Sequence, residues 1–246
     1  MFPAPTKPAS KPDSAFSLME LIVMLAVVAL LLMLALSAHA KPRNRVYQIT
    51  DVSNQRRLLQ AATSYAADHS DTLPNSGWGL TLPNWACAAN LPAGGGGTFT
   101  AFSTVYPAQL ASLTNGQVFS YLHEPQIFMC PADRPDNSSF WQRNIYITSH
   151  VWNGAVNGYT TISAYKLSRF RPDSILQWEA DGSIPFTFND PASYPNEGIS
   201  ARHGAETWVG MFGGGVISLS RTNFNELAAT TTANQLWCNP ATLNGH

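Results

Sequence analysis

Apolar residues are concentrated in one long run near the amino terminus of the chain. Sixteen consecutive apolar residues extend from Leu21 to Leu36, and the only polar residues within 16–38 are Ser17, Glu20 and Ser37. A helix over these 23 positions is about 34 Å long, more than the roughly 30 Å of a bilayer's hydrocarbon core. The pattern therefore predicts a transmembrane helix over residues 16–38.

A second helical pattern follows this run. Apolar residues recur at intervals of three or of a multiple near 3.5, at Val46, Ile49, Val52, Leu59, Ala62 and Tyr65. Such spacing is typical of an amphipathic helix that packs one face on a core. We predict an amphipathic stem over residues 39–73 whose helix ends near Asp71, because Pro74 and the turn sequence after it disfavour further helix.

From residue 74 onward, Gly, Pro, Asn, Ser and Thr separate short runs of β-forming residues. The predicted strands are Gln126–Met129, Asn144–Val151, Ser174–Glu179, Thr207–Phe212 and Val216–Ser220. The last two flank three consecutive glycines and are expected to form a hairpin. Residues 74–246 are thus interpreted as one globular α+β head, in which a mainly antiparallel sheet packs on the stem.

The composition excludes two classes of protein. Hydrophobic residues make up 45% of the chain and charged residues 12%, which is too apolar for a disordered protein. The formal net charge is −1, so the sequence offers no excess of basic residues for contacts with phosphates. We therefore expect no nucleic acid partner.

A cleaved secretory signal is the main alternative for the apolar run. Ala38, His39 and Ala40 have the small-x-small pattern of a signal peptidase site. However, the run exceeds the usual length of a signal-peptide core. Glu20 also lies just inside its amino-terminal edge, where an ionised group costs about 3 kcal/mol. Both features favour a helix that is retained in the mature protein.

The segment from Lys11, KPDSAFSLMELIVMLAVVALLL, resembles the amino-terminal signal of bacterial type IV prepilins and type II secretion pseudopilins. In that family a short basic leader and a small residue precede Phe, a small hydroxyl residue, apolar residues and Glu at the fifth mature position. The resemblance implies a leader peptide over 1–15, cleavage between Ala15 and Phe16 by a prepilin peptidase, and N-methylation of Phe16. Where this chain has Ala15, the family usually has Gly.

The resemblance also implies a role for Glu20. In the family this carboxylate neutralises the amine of the first mature residue, here Phe16, and helps to register each subunit during assembly. The alternative is that Glu20 only extends to the membrane interface. The implied fold is pilin-like, with a long amino-terminal helix, half transmembrane and half amphipathic, packed on the head.

Partners and location follow from the same resemblance. The implied partners are a prepilin peptidase, other pilin or pseudopilin subunits, and inner-membrane lipid. The implied location is the bacterial inner membrane, crossed once, with a cytoplasmic amino terminus and a periplasmic head, or an extracellular filament.

The head resembles a narrower group of prepilin-like proteins that carry an H-x9-D-G element near the carboxyl terminus. The resemblance rests on the segments VSNQRRLLQAATSYAADHSDTLP, IFMCPAD, FRPDSILQWEAD and RHGAETWVGMFGGGV. They align His203 with the family His, Gly213 with the position of its Asp, and Gly214 with its Gly. The signature carboxylate is thus absent from this chain.

Cys87, Cys130 and Cys238 are the disulfide candidates of an exported head, and the sequence leaves all three pairings open. They form no C-x-x-C motif, and no pair of histidines has the spacing of a zinc site, so we expect no metal or cofactor. Glu179 and Asp181 would share one face of a strand, an arrangement that solvent-facing or turn-capping carboxylates also show.

Three classes of function remain open. The first is a structural pilin- or pseudopilin-like subunit, which is not an enzyme. The second is a membrane-tethered binding head, for which seven Trp and eight Tyr would permit contacts with glycans. The third is a tethered hydrolase that uses Glu179, Asp181 or His203. The sequence favours the first, because these side chains show no spacing typical of a reactive site.

Overall fold

The computed structural model describes residues 17–246, except for the side chains of 34–43, and has an α+β fold. The described part contains five α-helices and one five-stranded sheet. The helices are α1 (Leu18–Asp68), α2 (Phe99–Leu113), α3 (Phe119–Leu122), α4 (Ser138–Gln142) and α5 (Arg221–Ala228). The expected leader over 1–15 lies outside the described residues.

The sheet is mixed but mainly antiparallel. Its strands are β1 (His150–Asn153), β2 (Ile175–Glu179), β3 (Ala192–Ser193), β4 (Glu206–Met211) and β5 (Val216–Ser220). They lie in the order β3-β1-β2-β4-β5. Only β1 and β3 pair in parallel, whereas the other three neighbouring pairs are antiparallel.

The predicted strand Gln126–Met129 is wrong, because Pro125–Phe128 forms a 3-10 helix. Proline at the first position explains the difference, since its fixed φ suits a helical turn and its missing N–H is not needed there. The predicted strand Asn144–Val151 is found only at its end, where β1 begins at His150. The last two predicted strands correspond to β4 and β5.

These two strands form the expected hairpin. Gly214 has a φ of +84°, a left-handed conformation that glycine adopts at little cost. The Gly214 N–H donates to the Met211 carbonyl at 2.9 Å, and the Met211 N–H donates to the Gly215 carbonyl at 2.8 Å. The glycine-rich turn therefore sets the register of this edge of the sheet.

The amino-terminal part of α1 exposes its apolar side chains, which include Leu18, Ile22, Leu25 and Met33. None of the helices among the described residues combines the length and the hydropathy that a membrane span requires. The transmembrane helix expected over 16–38 therefore stays a prediction.

The boundary between two compact units lies between Arg43 and Asn44. Residues 44–68 of α1 accordingly belong to the same unit as the head. Leu58 and Leu59 of this stem are buried in the core of that unit, which also contains Trp152 of β1 and Trp178 of β2. The Gln177 side chain donates to the Gln55 carbonyl at 3.1 Å and joins β2 directly to the stem.

The stem buries the second half of the predicted face, where Leu59 and Ala62 lie in the core, but not its start. Val46 and Ile49 were expected to pack on the head, but they are 58% and 62% exposed. The buried positions are Asp51, Gln55, Leu58, Leu59, Ala61, Ala62 and Ala66, which lie on one side of the helix. The prediction failed at its start because two of these positions are polar, so hydrophobicity alone does not mark them.

Candidate functional site

Four polar side chains from separate parts of the chain meet inside the second unit. They are Asp51 of α1, Cys130 after the 3-10 helix, Glu179 at the end of β2, and His203 before β4. One oxygen, nitrogen or sulfur atom from each lies within 4.8 Å of those of the other three. All four side chains are almost fully buried. We call these four residues the buried cluster.

The sheet and the stem together create this arrangement. His150 at the start of β1 pairs across the sheet with Glu179 at the end of β2. Every residue of β2 is buried, because the strand is covered on both faces, so the Glu179 side chain lies inside the second unit and away from its surface. Asp51 reaches the same end of the sheet from α1, where its carboxylate lies 3.0 Å from His150 Nε2.

His203 Nε2 is the atom around which the other groups lie. It is 3.4 Å from Cys130 Sγ, 3.5 Å from Glu179 Oε2 and 4.0 Å from Asp51 Oδ2. One imidazole nitrogen therefore faces a thiol and two carboxylates at once.

Glu179 is the least satisfied member of the buried cluster. It is 1% exposed, and neither carboxylate oxygen has a hydrogen-bond partner among the described residues. Arg202 Nη1 lies 3.7 Å from Oε1, beyond hydrogen-bond distance. Burial, and next the charge of Asp51, raise the pKa of Glu179 above its ordinary value. A carboxylate in this position requires a proton or a cation.

Asp51 is held in place by two donors. Gln55 Nε2 donates to Oδ2 at 2.7 Å, and His150 Nε2 lies 3.0 Å from Oδ1. His150 Nδ1 lies 3.2 Å from the carbonyl of Phe128. Burial lowers the pKa of His150, but the charge and hydrogen bond of Asp51 outweigh it, and the net pKa is raised. An imidazole between two acceptors donates to both when it is protonated, so His150 and Asp51 form an ion pair.

Cys130 is a protonated thiol in this environment. Burial raises its pKa, and the negative charges of Glu179 and Asp51 raise it further. The Cys130 backbone N–H donates to Ser149 Oγ at 2.9 Å, which fixes the loop beside β1. The thiol is thus positioned accurately although it lies outside regular secondary structure.

A group of ion pairs lies beside the buried cluster. Asp133 accepts two hydrogen bonds from Arg143, at 2.9 and 3.1 Å, and Arg202 Nη2 lies 3.1 Å from the same carboxylate. Burial raises the pKa of Asp133, but Arg202 and Arg143 outweigh it and lower the pKa overall. These three residues line a surface pocket of about 310 Å³. Since Arg202 also approaches Glu179, it stands between the pocket and the buried cluster.

The residues of the prepilin-like signal are only partly visible. Ala15 and Phe16, the expected cleavage and methylation positions, lie outside the described residues. Glu20 is described, and its carboxylate accepts hydrogen bonds from the N–H and the hydroxyl of Ser17. Its expected role in assembly stays a prediction.

The expected disulfide is absent from the described residues, because Cys87, Cys130 and Cys238 are all free thiols. Their surroundings explain why. Cys87 lies beside Asn84, Cys238 beside Asn153, and Cys130 in the buried cluster. Burial raises the pKa of Cys87 to about 11 and that of Cys238 to about 12, so both are unreactive as thiols.

The aligned residues of the H-x9-D-G element do not build one site. His203 precedes β4 and Gly213 follows it, so they lie at opposite ends of this strand. A Cβ atom at Gly213 would lie 2.8 Å from the Pro172 carbonyl oxygen. The backbone approaches too closely there for the aspartate of the element, and Gly214 occupies the turn of the hairpin.

Glu179 and Asp181, considered together as carboxylates on one strand, have different surroundings. Glu179 belongs to the buried cluster, whereas Asp181 Oδ1 accepts hydrogen bonds from the N–H and hydroxyl of Ser183. Glu179 and His203 converge in the buried cluster, although their spacing in the sequence is not typical of a reactive site.

Sequence reasoning missed Asp51, His150 and the position of Cys130 in this group. A signal was present in the stem, where Asp51 and Gln55 share a helical face with Leu58 and Leu59. Polar residues at core positions of an amphipathic helix indicate a buried polar contact. No comparable signal marks Cys130 and His203, which are 73 positions apart.

Comparison with known proteins adds no relative. No model of a protein family matches the chain, and neither a curated protein nor a solved structure matches it significantly.

Proposed function

We propose that this chain is a structural prepilin- or pseudopilin-like subunit that is cleaved between Ala15 and Phe16 and anchored in the bacterial inner membrane. The observation that carries the proposal is the helix α1, which extends over 51 residues from Leu18 to Asp68. Its first part exposes apolar side chains, and its last part belongs to the compact unit that contains the α+β head.

The exposed apolar part of α1 supports a location in lipid. The large apolar side chains from Leu18 to Met33 have exposed fractions between 48% and 77%. A continuous apolar surface of this length is unfavourable in water and is stable in a bilayer or among neighbouring helices of the same kind. A membrane anchor before assembly, and a bundle of such helices after it, both satisfy this requirement.

The alternative of a glycan-binding head has less support. Three of the tryptophans that would offer stacking surfaces, Trp85, Trp152 and Trp178, are buried completely. Trp85 and Trp152 instead stack on each other with ring centroids 5.0 Å apart. These rings stabilise the core and are not accessible to a sugar.

The alternative of a tethered hydrolase rests on Glu179 and His203, which lie 3.5 Å apart. Their burial is the difficulty, because a substrate would have to displace Arg202 and Asp133 to reach them. Asp181, the third candidate, is engaged with Ser183 instead. The structural subunit is therefore the function that this arrangement supports best.

The experiment follows a carboxyl-terminally tagged chain in the cell that produces it. We expect the mature chain in the membrane fraction and in filaments or short pseudopili released by shearing. An Ala15→Leu variant replaces the small residue at the cleavage position and should stay unprocessed and absent from sheared material, whereas a Ser14→Ala control should behave as the original chain. Tagged protein free in the medium, with Lys41 as its first residue, would contradict the proposal.

A further inference from the structure

We propose that Asp51, Cys130, Glu179 and His203 bind a zinc ion that fixes the stem helix to the head. The inference is independent of assembly, because it rests only on side chains within the second compact unit.

The chemistry of the four ligand side chains favours zinc over other divalent metal ions. A thiolate, an imidazole and two carboxylates are all established kinds of zinc ligand. Calcium and magnesium require oxygen ligands, and a cysteine in the set disfavours both. Four protein ligands also fill the coordination shell of a tetrahedral zinc ion, which is typical of a structural rather than a catalytic site.

The distances agree with this geometry. Zinc bonds of about 2.0 to 2.3 Å place tetrahedral ligand atoms about 3.3 to 3.8 Å apart. His203 Nε2 lies 3.4 Å from Cys130 Sγ, 3.5 Å from Glu179 Oε2 and 4.0 Å from Asp51 Oδ2. The remaining separations are at most 4.8 Å, so shifts of about 1 Å, within reach of side-chain rotation, would close the site.

Glu179 provides the independent observation that a cation belongs here. Its side chain is 1% exposed, is directed at the other three residues, and has no hydrogen-bond partner for either oxygen among the described residues. A buried carboxylate in this condition is costly unless a proton or a metal satisfies it. A divalent cation among two carboxylates and a thiolate satisfies all of them together.

Surrounding contacts would orient the ligands. Asp51 is held by Gln55 and His150, and Arg202 lies beside Glu179. Such outer contacts fix the direction of metal ligands and preserve their ionised state. Arg202 lies between Glu179 and a surface pocket of about 310 Å³, so movement of the Arg202 side chain would open a path for the ion.

Binding of the ion displaces two protons, one from the Cys130 thiol and one from the Glu179 carboxyl group. The Cys130 S–H bond and the Glu179 O–H bond break, both protons pass to solvent, and the thiolate and the carboxylate form bonds to Zn²⁺ with no change of oxidation state. The ion would then connect α1, the loop at Cys130, the end of β2 and the loop at His203. Its expected effect is to stabilise the packing of the stem on the head.

The test uses the full-length chain in mild detergent. Metal is removed with a chelator, and Zn²⁺ is titrated in competition with a chromophoric chelator. We expect one ion per chain and a Kd below about 1 µM, together with a higher Tm when zinc is present. Co²⁺ in place of zinc should show the visible bands of a tetrahedral ion and the near-ultraviolet band of a thiolate ligand.

Variants separate this site from adventitious binding. Cys130→Ser and Glu179→Gln should each weaken zinc binding by about 100-fold or more, and Cys130→Ser should abolish the thiolate band. Cys238→Ser, which changes a cysteine outside the buried cluster, should leave the zinc affinity and the thiolate band unchanged. The wild-type cobalt spectrum decides the question even where a variant fails to fold.

Three results would overturn the proposal. They are substoichiometric zinc in the wild-type titration, an octahedral cobalt spectrum without a thiolate band, and equal zinc affinity in Cys130→Ser and the original chain. Each would mean that Glu179 is satisfied by a proton, with the Cys130 thiol as its neighbour.

Discussion

Ser17 and Glu20 hydrogen-bond each other in both directions at the start of α1. The Ser17 N–H and hydroxyl each donate to Glu20 Oε2 at 2.9 Å, and the Glu20 N–H donates to Ser17 Oγ at 3.3 Å. This is a capping box, which satisfies backbone donors that a helix leaves unpaired at its first turn. Glu20 therefore has a local structural task beside the assembly role that we propose for it.

Two substitutions at Glu20 distinguish these roles. Glu20→Gln keeps an acceptor for Ser17 but removes the negative charge, whereas Glu20→Ala removes both. If the charge pairs with the Phe16 amine, both variants should insert into the membrane normally and be recovered poorly in sheared filaments or cross-linked oligomers. Assembly of the Gln variant at the original level, with a defect only in the Ala variant, would assign Glu20 to capping alone.

The mature amino terminus should be Phe16. The small residue Ala15, the phenylalanine after it and Glu20 occur at the spacing of a prepilin-type signal ahead of a retained apolar helix. Mass spectrometry of the purified chain should show loss of residues 1–15 and one added methyl group. A mature chain that begins at Lys41 would mean that Ala38-His39-Ala40 is a signal peptidase site.

Loss of Arg143 should destabilise the head strongly. Its guanidinium pairs with Asp133 while 1% exposed and stacks on Phe140 at 3.7 Å from the ring centroid. Arg143→Met removes a buried partner and should lower the free energy of unfolding by about 3 kcal/mol. The double variant with Asp133→Asn should recover little of this loss, because Arg202 also pairs with Asp133 and then loses its partner.

Urea denaturation of the purified chain measures these effects. Arg171→Met is the matched control, because its pair with Asp173 lies at the surface, and it should leave the unfolding midpoint unchanged. Equal effects of the Arg143 and Arg171 variants would show that the buried ion pair contributes nothing specific.

Asp190 should make the head less stable as the pH rises from about 4 to about 6. Burial raises its pKa to about 6, although its two oxygens accept hydrogen bonds from the N–H groups of Gly79 and Ala192. The folded chain then binds more protons than the unfolded chain in this range, so stability is lost as the pH rises, by about 2 kcal/mol. Asp190→Asn should lack this component in urea midpoints measured at pH 4, 5, 6 and 7. Parallel pH profiles for the two chains would contradict the assignment.

Gly213→Ala should destabilise the hairpin by about 1 to 3 kcal/mol, because the new Cβ would lie 2.8 Å from the Pro172 carbonyl oxygen. Gly215→Ala is the control in the same turn. Its nearest contact would be Met211 Sδ at 3.9 Å, so its stability should differ little from the original. Thermal unfolding compares the two, and equal Tm values would mean that the backbone at Pro172 can move.

Periodicity predicted the elements whose pattern repeats over many residues. The helical stem and the hairpin around the three glycines follow from such patterns. Helix α2, Phe99–Leu113, was not predicted. Its Thr, Ser and aromatic residues are poor helix formers, and it contains Pro107. The helix forms because Thr98 caps it and Phe102 and Leu113 are buried in tertiary contacts.

The buried cluster was much less accessible to sequence reasoning. Glu179 and His203 could be identified as candidates, but only the pairing of β1 with β2 and the packing of α1 bring them together with Asp51. Cys130 was predicted as a disulfide candidate because the head is expected to be exported to an oxidising compartment. The sequence does not show which residues surround the thiol in the fold. The cluster takes one residue from each of four separate segments. Such residues form no periodic pattern in the sequence.

The contacts that hold the stem on the sheet also govern the order in which this chain can fold. Gln55 donates to the Trp208 carbonyl, 153 positions later in the chain, and accepts from Gln177, 122 positions later. Contacts of such sequence separation form slowly, because a long loop must close before they contribute. The stem is synthesised first, yet the hydrogen bonds of Gln55 to Gln177 and Trp208 cannot form until β4 has left the ribosome. Folding therefore ends with the last third of the chain capturing the helix that was made first.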